Sequence, residues 1–463
     1  MELGDQRDYP GGDARHQLVL NHTSDKHPWF LESKSSRTNP KADWYVWHDG
    51  KEGGKPPNNW TSGSGGSSWQ WVAERGQFYY HNYYIEQPDL NWRNPEVRAA
   101  VFDMLRFWLK RGVSGFRLDG ISNLYEDALF RDESVLPEAN AQGPGRSNQA
   151  RIYRRNLPET YDAYRALRKV ADEFPGSVLV GQVGEGDPAE FVKAYGENHH
   201  GFQLPIYAQY GAERLFATEF RRRLRDVETG LRGNIPLLVF DSHDRPRSWT
   251  RYADGAHDLA IAKLLATLLL APRGAALVYY GQELGMENSN PKRVEDVRDP
   301  PGKLNWPRNK GRDGERTPMQ WSAGPNAGFS PASATTWLPV SPSYVSRNAA
   351  AEAADPNSLF NYYKALIRLR KENLAVGKGE FALVNEADEN VLSWTSKTAE
   401  GAAVLVALNL SAATQTASFD MASRGLRGQQ ASTLLNSFLK PGEAADLTKL
   451  VLPPYGAFVG TLK

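Results

Sequence analysis

The 463 residues contain no cysteine, which rules out a disulfide framework and thiolate chemistry. Charge of one sign is not in excess. The formal net charge is +1, so nothing marks nucleic acid or an anionic membrane as a partner. Long apolar runs are also missing. The longest, Leu264–Ala271, falls far short of the about 20 residues that a membrane span needs. Met1–Gly12 is polar and carries no apolar segment of the signal-peptide kind, so a cytoplasmic location is expected. What remains is an ordinary globular composition, 40% apolar and 24% charged, in a chain too long for one core.

Strand-like runs alternate with helical patterns over most of the chain. Leu18–Leu20 is a short apolar run that ends at Asn21 and His22. Pro95-Glu96 opens a helix with Val97, Val101, Leu105 and Trp108 at helical spacing and Gly112 beyond its end. The strand Val113–Leu118 follows and stops at Asp119. A second helix carries Tyr164, Leu167, Val170 and Phe174 on one face, and the strand Val178–Val180 then runs into Gly181-Gln182. Pro236–Phe240 stops at Asp241, and a helix from about His257 to Leu270 leads to the strand Ala276–Tyr280. Such βα alternation predicts a parallel sheet with helices outside it. In a βα barrel, the polar groups just after the strands meet at the mouth where chemistry is done.

Two stretches break the alternation. Residues 23–96 are rich in Gly, Ser, Asn, Pro and Trp and too long for an ordinary loop, so they read as an inserted small domain. Within them the Gly/Ser-rich Thr61–Ser68 reads as a mobile loop. A last helix is expected to start at Asp355-Pro356, with Asp as cap, Pro in its first turn, and Leu359, Tyr362, Leu366 and Leu369 on its apolar face. After Asn373 the pattern changes to short alternating runs, Phe381–Val384, Val391–Thr395, Ala403–Leu408, Thr416–Phe419 and Lys449–Leu452. These predict an antiparallel β-sandwich over 374–463. The barrel would then comprise 1–22 and 97–373.

Six motifs carry a resemblance. They are Val19-Leu20-Asn21-His22-Thr23-Ser24, Gly115-Phe116-Arg117-Leu118-Asp119, Val180-Gly181-Gln182-Val183-Gly184, and Phe240-Asp241-Ser242-His243-Asp244 with Arg247 shortly after. The others are Gln87-Pro88-Asp89-Leu90-Asn91 and Gly311-Arg312-Asp313-Gly314-Glu315-Arg316-Thr317-Pro318-Met319-Gln320-Trp321. In this order and spacing the chain resembles glycoside hydrolase family 13, the α-amylase family, in its α-glucosidase and oligo-1,6-glucosidase branch. The resemblance implies a (β/α)8 barrel with an inserted domain B and a C-terminal β-sandwich. It also implies a retaining glycosidase acting on maltose and short α-glucosides.

By that resemblance Asp119 is the nucleophile and Asp244 the third carboxylate, which grips sugar hydroxyls and stabilises oxocarbenium charge. His22 and His243 would bond glucose hydroxyls, and Arg247 would join the substrate contacts. Arg117 stands two residues before Asp119, so strand alternation turns both side chains to one face, where the guanidinium would orient the carboxylate. Gly120, a small residue after the nucleophile, accompanies α-1,4 preference in this branch. No cofactor and no metal site is implied for the stretch present.

Two departures stand out. Where the family has its acid/base glutamate this chain has Gln182, which cannot give or take a catalytic proton. Glu185 lies three residues on, past Gly184, outside the reach the acid needs. Gln182 fits either a substitution that preserves binding and slows turnover, or a natural, specialised member. The second departure is at the start. About two of the eight barrel strands precede Asn21-His22 in the family, and here Gln17 replaces an aspartate placed before this histidine. A truncated chain is one reading of that. Two other functional readings stay open: a non-catalytic sugar-binding or assembly protein, and a transglucosylase or trehalose-forming isomerase on the same scaffold.

Overall fold

The computed structural model describes residues 15–137, 148–183, 188–211, 214–422, 425–426, 429–437 and 442–462. Met1–Gly12 and Glu185 lie outside the described residues. The chain divides into two compact units, one ending at Ile206 and the other starting at Tyr207.

The first unit holds β1 (Arg15–Val19), β2 (Trp47–His48), β3 (Trp69–Val72), β4 (Gln77–Tyr80), β5 (Gly115–Asp119) and β6 (Val178–Gly181), with β7 (Leu204–Tyr207) at its end. β1, β5, β6 and β7 pair in parallel in that order. Parallel neighbours need a crossover, and two helices supply those from β1 to β5 and from β5 to β6. Pro95–Lys110 starts on Asn94, whose Oδ1 accepts the Glu96 N–H at 2.8 Å, with Pro95 at the first helical position. Its buried stripe is Val97, Val101, Leu105 and Leu109; Trp108, expected there, is only partly buried and packs at the stripe's edge. The helix stops at Gly112, whose φ of 92° is a left-handed conformation that glycine adopts without strain. Pro158–Asp172 buries Tyr164, Leu167 and Val170 against the same core. Truncating fully buried Leu167 to alanine would cost about 2–5 kcal/mol.

Residues between β1 and β5 form their own antiparallel sheet, β2-β4-β3. Its core is aromatic: Trp60, Trp69, Phe78 and Tyr80 pack together with Val46. The Thr61–Ser68 segment is not a loose loop. Ser62 N–H bonds the Gly66 carbonyl at 2.9 Å, Ser68 N–H bonds that of Trp60 at 2.9 Å, and Ser62 itself is buried. Small residues here allow a tight hydrogen-bonded turn, which composition alone does not distinguish from mobility.

The second unit carries β8 (Leu237–Val239) and β9 (Ala275–Leu277), again parallel. Helix Asp258–Leu270 between them is apolar nearly all round and correspondingly buried. It packs on helix Leu359–Glu372, where the Thr267 and Tyr362 hydroxyls lie 2.9 Å apart. That last helix begins later than expected. Its cap is Ser358, whose Oγ accepts the Asn361 N–H at 3.1 Å, while Asp355 ends the preceding short helix and turns back to Asn357. A prolyl residue preceded by aspartate here makes a turn between two helices, and the nearer serine takes the cap.

The C-terminal strands are β10 (Glu380–Val384), β11 (Val391–Lys397), β12 (Ala403–Asn409), β13 (Gln415–Ala417), β14 (Gln430–Asn436), β15 (Ala444–Asp446), β16 (Leu450–Leu452) and β17 (Ala457–Leu462). They form two antiparallel sheets, β10-β11-β12-β17-β14-β15 and β13-β16, that close on one core including Val391, Leu405, Phe419, Leu450 and Phe458. The fold is therefore α/β, with six parallel strands among the described residues and a C-terminal antiparallel sandwich. β14, β15 and β17 were not expected from sequence. Polar residues and Gly460 interrupt their alternation.

Candidate active site

Each unit holds one cluster of the sequence-predicted residues. In the first, the pairing of β5 with its neighbours fixes who meets whom. Residue pairs Gln17↔Arg117, Val19↔Asp119 and Leu118↔Gly181 are in register. Partners in a parallel sheet turn their side chains to the same face. Gln17, Arg117 and Asp119 therefore converge. Arg117 Nη1 lies 2.7 Å from Asp119 Oδ2 as an ion pair, without an aligned hydrogen bond among the described residues. Gln17 Nε2 donates to the same oxygen at 3.2 Å, and the Gly120 N–H donates to Asp119 Oδ1 at 2.9 Å. Both carboxylate oxygens are thus held. Gln17, noticed in sequence only as a departure, is a direct partner of Asp119.

Gln182 continues β6 by one residue. Its N–H bonds the Leu118 carbonyl at 3.0 Å, which carries the register forward and sets it beside Asp119. Its Oε1 is buried and has no hydrogen-bond partner among the described residues. A buried acceptor without a partner is costly.

His22 is positioned by the Gln87–Asn91 motif. Leu90 N–H bonds the Asn21 carbonyl at 2.9 Å, and the buried Asp89 accepts from the Asn82 N–H at 3.0 Å and Asn21 Nδ2 at 2.8 Å. Burial raises the Asp89 carboxyl well above its ordinary value. Asn21 Nδ2 also approaches His22 Nδ1 at 3.4 Å. Burial pulls the His22 imidazole down to about 4, although nearby Asp119 pulls the other way. Its ring meets Tyr83 edge-on at 5.3 Å. Tyr83, held by Asn123 at 3.0 Å, was missed from sequence because one tyrosine in an aromatic-rich stretch carries no distinguishing signal.

In the second unit the Phe240–Asp244 motif splits into a buried and a half-buried part. Asp241, only 1% exposed, accepts from the Ser248 N–H at 2.6 Å and Ser248 Oγ at 2.9 Å, and so holds the start of helix Ser248–Tyr252. Asp244 is half-buried and surrounded by cations. Arg312 Nη1 and Arg316 Nη2 bond its Oδ1 at 2.6 and 3.0 Å, and His243 Nε2 lies 3.1 Å from Oδ2. Burial alone would raise the Asp244 carboxyl, but the bond and charge of His243, together with Arg312, outweigh it and hold it well below the usual carboxylate range.

Arg312 is itself clamped by Asp299, with Nε and Nη2 reaching the two carboxylate oxygens at 3.0 and 2.8 Å. Gly311 permits that clamp, since a Cβ at this residue would stand 2.8 Å from Asp299 Oδ2. Arg312 and Arg316 lie inside a quoted motif, yet nothing in the sequence linked them to Asp244. Arg247 is elsewhere engaged. It is fully buried, its Nη1 and Nη2 bond the Tyr280 and Glu315 carbonyls at 2.8 and 2.9 Å, and both Tyr279 and Tyr280 cover it. Its guanidinium ties loops together and has no open face for a sugar.

Among the described residues no cluster of His, Asp and Glu is arranged to hold a metal ion, and no helix is long and apolar enough to cross a membrane.

The profile of the alpha amylase catalytic domain matches residues 16–379. A probable alpha-glucosidase of Rhizobium meliloti (strain 1021) is 44% identical over 380 residues, which span 79% of this chain and 68% of the relative. An oligo-1,6-glucosidase of Parageobacillus thermoglucosidasius is 34% identical over 408 residues, 82% of this chain and 71% of that one. Among solved structures, the alpha-glucosyl transfer enzyme XgtA matches with a TM-score of 0.87 at 34% identity, over 97% of this chain and 83% of that chain.

Proposed function

The chain belongs to the α-amylase family, and we propose that within it this protein is a retaining α-glucosidase-type glycoside hydrolase whose proton-transfer position is disabled. Asp119 attacks the anomeric carbon of a short α-glucoside and forms a glucosyl-enzyme. The position that would protonate the leaving oxygen and later activate water is held by Gln182.

One observation carries this reading. Asp119 and Gln182 are next-strand neighbours one step beyond the registered pair Leu118↔Gly181. Parallel strands lie about 4.8 Å apart, and retaining glycosidases place their two carboxyl groups about 5–5.5 Å apart. The scaffold spacing suits the double-displacement geometry, while the residue type removes its proton carrier. Gln182 can donate an amide hydrogen bond to the leaving oxygen but no proton. Asp244 takes the part of the stabilising carboxylate and His22 and His243 bond glucose hydroxyls, roles that rest on the motif resemblance. We assign α-1,4 preference on the small residue after Asp119. Gly120 has φ 65°, with the Asn21 Cβ and Tyr83 hydroxyl 3.4 Å from where its Cβ would stand, so backbone conformation also requires glycine there.

The experiment is turnover of p-nitrophenyl α-glucoside with and without azide. Nitrophenolate leaves without a proton, and azide attacks the glucosyl-enzyme without a base. Azide should accelerate turnover and give α-glucosyl azide. A folded sample that shows no acceleration sinks Asp119 as the nucleophile. The residue type at 182 also favours a second reading, a sugar-binding protein without turnover. That reading fails if Gln182→Glu alone yields strong maltose hydrolysis. Transfer of glucose to other acceptors would pass through the same glucosyl-enzyme and would appear as isomeric products from maltose or sucrose.

A further inference from the structure

Arg151, in the first unit, belongs to none of the motifs, and its backbone is unusual. Its φ of 58° is a left-handed conformation that costs most side chains about 1–2 kcal/mol. The residues on either side hold it there. Ala150 N–H bonds the Ser134 carbonyl at 3.0 Å, and the N–H groups of Ile152 and Tyr153 bond the two carboxylate oxygens of Glu133 at 3.1 and 2.9 Å. The Glu133 carboxylate is buried and lies 3.7 Å from Arg154 Nε. A strained residue that its surroundings enforce directs attention to what its side chain reaches.

The guanidinium reaches Asn82, a fully buried residue, and donates from Nη2 to its Oδ1 at 2.5 Å. Asn82 is also fixed at its backbone. Its carbonyl accepts from the Gly63 N–H at 2.9 Å, and its own N–H donates to Asp89 Oδ1 at 3.0 Å. The other Asp89 oxygen accepts from Asn21 Nδ2 at 2.8 Å, and that nitrogen approaches His22 Nδ1 at 3.4 Å. Backbone pairing joins the two ends, since His22 and Asp89 face each other in an antiparallel bridge. Both Asp89 oxygens thus accept N–H bonds, which favours the charged form. A buried carboxylate also needs a compensating charge. Burial raises the Asp89 carboxyl, the bonds from Asn82 and Asn21 oppose that, the charge of Glu126 adds to it, and the charge of Arg151 opposes it. Glu126 is itself paired with Arg93 at 2.6 Å. One guanidinium therefore gives a bond to Asn82 and a charge to Asp89, and Asp89 in turn holds Asn21.

We propose that Arg151 is a positioning residue for His22, acting through Asn82, Asp89 and Asn21 to fix the direction of the imidazole. The use of that imidazole in sugar binding rests on the α-glucosidase reading, whereas the hydrogen-bonded chain from Arg151 does not. Two other groups face His22: Asp119 at the end of β5, and Tyr83, whose ring meets it edge-on. Tyr83 lies in the field of Arg151 as well, so the test has to separate a route through Asn82 from one through the Tyr83 hydroxyl.

The test is an NMR titration of the His22 ring in the full chain, with the signal assigned by its loss in His22→Gln. Arg151→Ala should let the ring gain water and raise its midpoint by about one pH unit from the parent value near 4. Arg151→Lys, which keeps a charge and a donor, should recover most of that shift. Arg131→Ala loosens the same loop by breaking the ion pair with Asp127 at 2.8 Å, outside the chain of contacts to His22, and should leave the midpoint in place. Arg151 is half-buried, so its variants should fold, and thermal melting verifies it. If the alanine variant does not fold, Arg151→Gln removes the charge at similar length and should give the same upward shift. In the Gln182→Glu background, Arg151→Ala should raise KM for p-nitrophenyl α-glucoside about tenfold with kcat little changed, the loss of one hydrogen bond to a bound hydroxyl. An unmoved midpoint in a folded variant overturns the proposal. So does an equal shift in Arg131→Ala, or a shift that vanishes in a Tyr83→Phe background. A moved midpoint with unchanged KM supports the positioning role and takes His22 out of sugar binding, while azide rescue separately decides whether Asp119 is the nucleophile.

Discussion

Asp119 and Gln182 stand at the same level on adjacent parallel strands, joined through the Gln182 N–H and the Leu118 carbonyl at 3.0 Å. One of the pair is gripped on both oxygens by Arg117, Gln17 and the Gly120 N–H, while the other has a buried oxygen with no partner among the described residues. A carboxylate fixed in direction thus stands beside an amide with one unbonded oxygen, the arrangement on which the proposed reading rests.

On the proposed reading, replacing the amide by a carboxyl group should supply proton transfer. Gln182→Glu should raise kcat/KM for maltose by about 10²–10⁴, the usual worth of a positioned general acid and base. The rise should be much smaller for p-nitrophenyl α-glucoside, whose leaving group needs little help. Parallel rate measurements on the two substrates check this, and equal gains on both would contradict it.

The cations around Asp244 should set its acid limit. Removing Arg312 and Arg316 together, each to alanine, leaves burial to raise the Asp244 carboxyl with less opposition. In the Gln182→Glu background the acid limb of the pH–rate profile should move upward. Activity at neutral pH should drop about ten- to a hundredfold, as charge stabilisation is lost. An unmoved acid limb would show that Asp244 does not govern it.

His22 makes a prediction about stability as well as binding. Its imidazole is pulled down to about 4 in the folded chain by burial, against about 6.5 when unfolded. Above pH 6.5 both states are neutral and the residue contributes no pH dependence. As pH falls from about 6.5 towards 4, the unfolded chain takes up a proton that the folded chain refuses, so stability is lost over that window. NMR titration of the His22 ring should give a midpoint near 4, and His22→Gln should flatten the stability curve between pH 6.5 and 4. A midpoint near 6.5 would refute both.

Gly120→Val should be a folding defect before it is a change of specificity. A β-branched residue at φ 65° is a genuine outlier, and a left-handed conformation costs most side chains about 1–2 kcal/mol. The crowding by Asn21 and Tyr83 adds to that. Thermal or urea unfolding should show a loss of at least this size, and Gly120→Asn should lose less, since asparagine tolerates that conformation. Equal stability of the valine variant and the parent would contradict this assignment.

Much of the fold was legible because local signals agreed with it. Pro95-Glu96, the Val97–Leu105 spacing and Gly112 mark a helix by chemistry that acts within a few residues, and the structure keeps that helix almost to its ends. Arg117 and Asp119 share a face because strand geometry alternates, whatever surrounds them. Gln182 announced itself by residue type. Elsewhere short-range reading failed for physical reasons. Asp355-Pro356 looks like a helix start and is a turn, because Ser358 competes for the cap. Thr61–Ser68 looks loose and is bonded across its own neck.

The sequence by itself determined the order of the parallel strands except β7 (Leu204–Tyr207), which it did not mark, the residue type at the ends of the strands it did mark, and the absence of a carboxyl group at position 182. Only the tertiary structure decided which of the polar groups near those strand ends face outward. Asp241 and Arg247 are buried as struts, while Asp244 is gripped by Arg312, 68 residues further along the chain. Burial and charge pairing depend on what the folded chain brings close, and no local pattern records that distance.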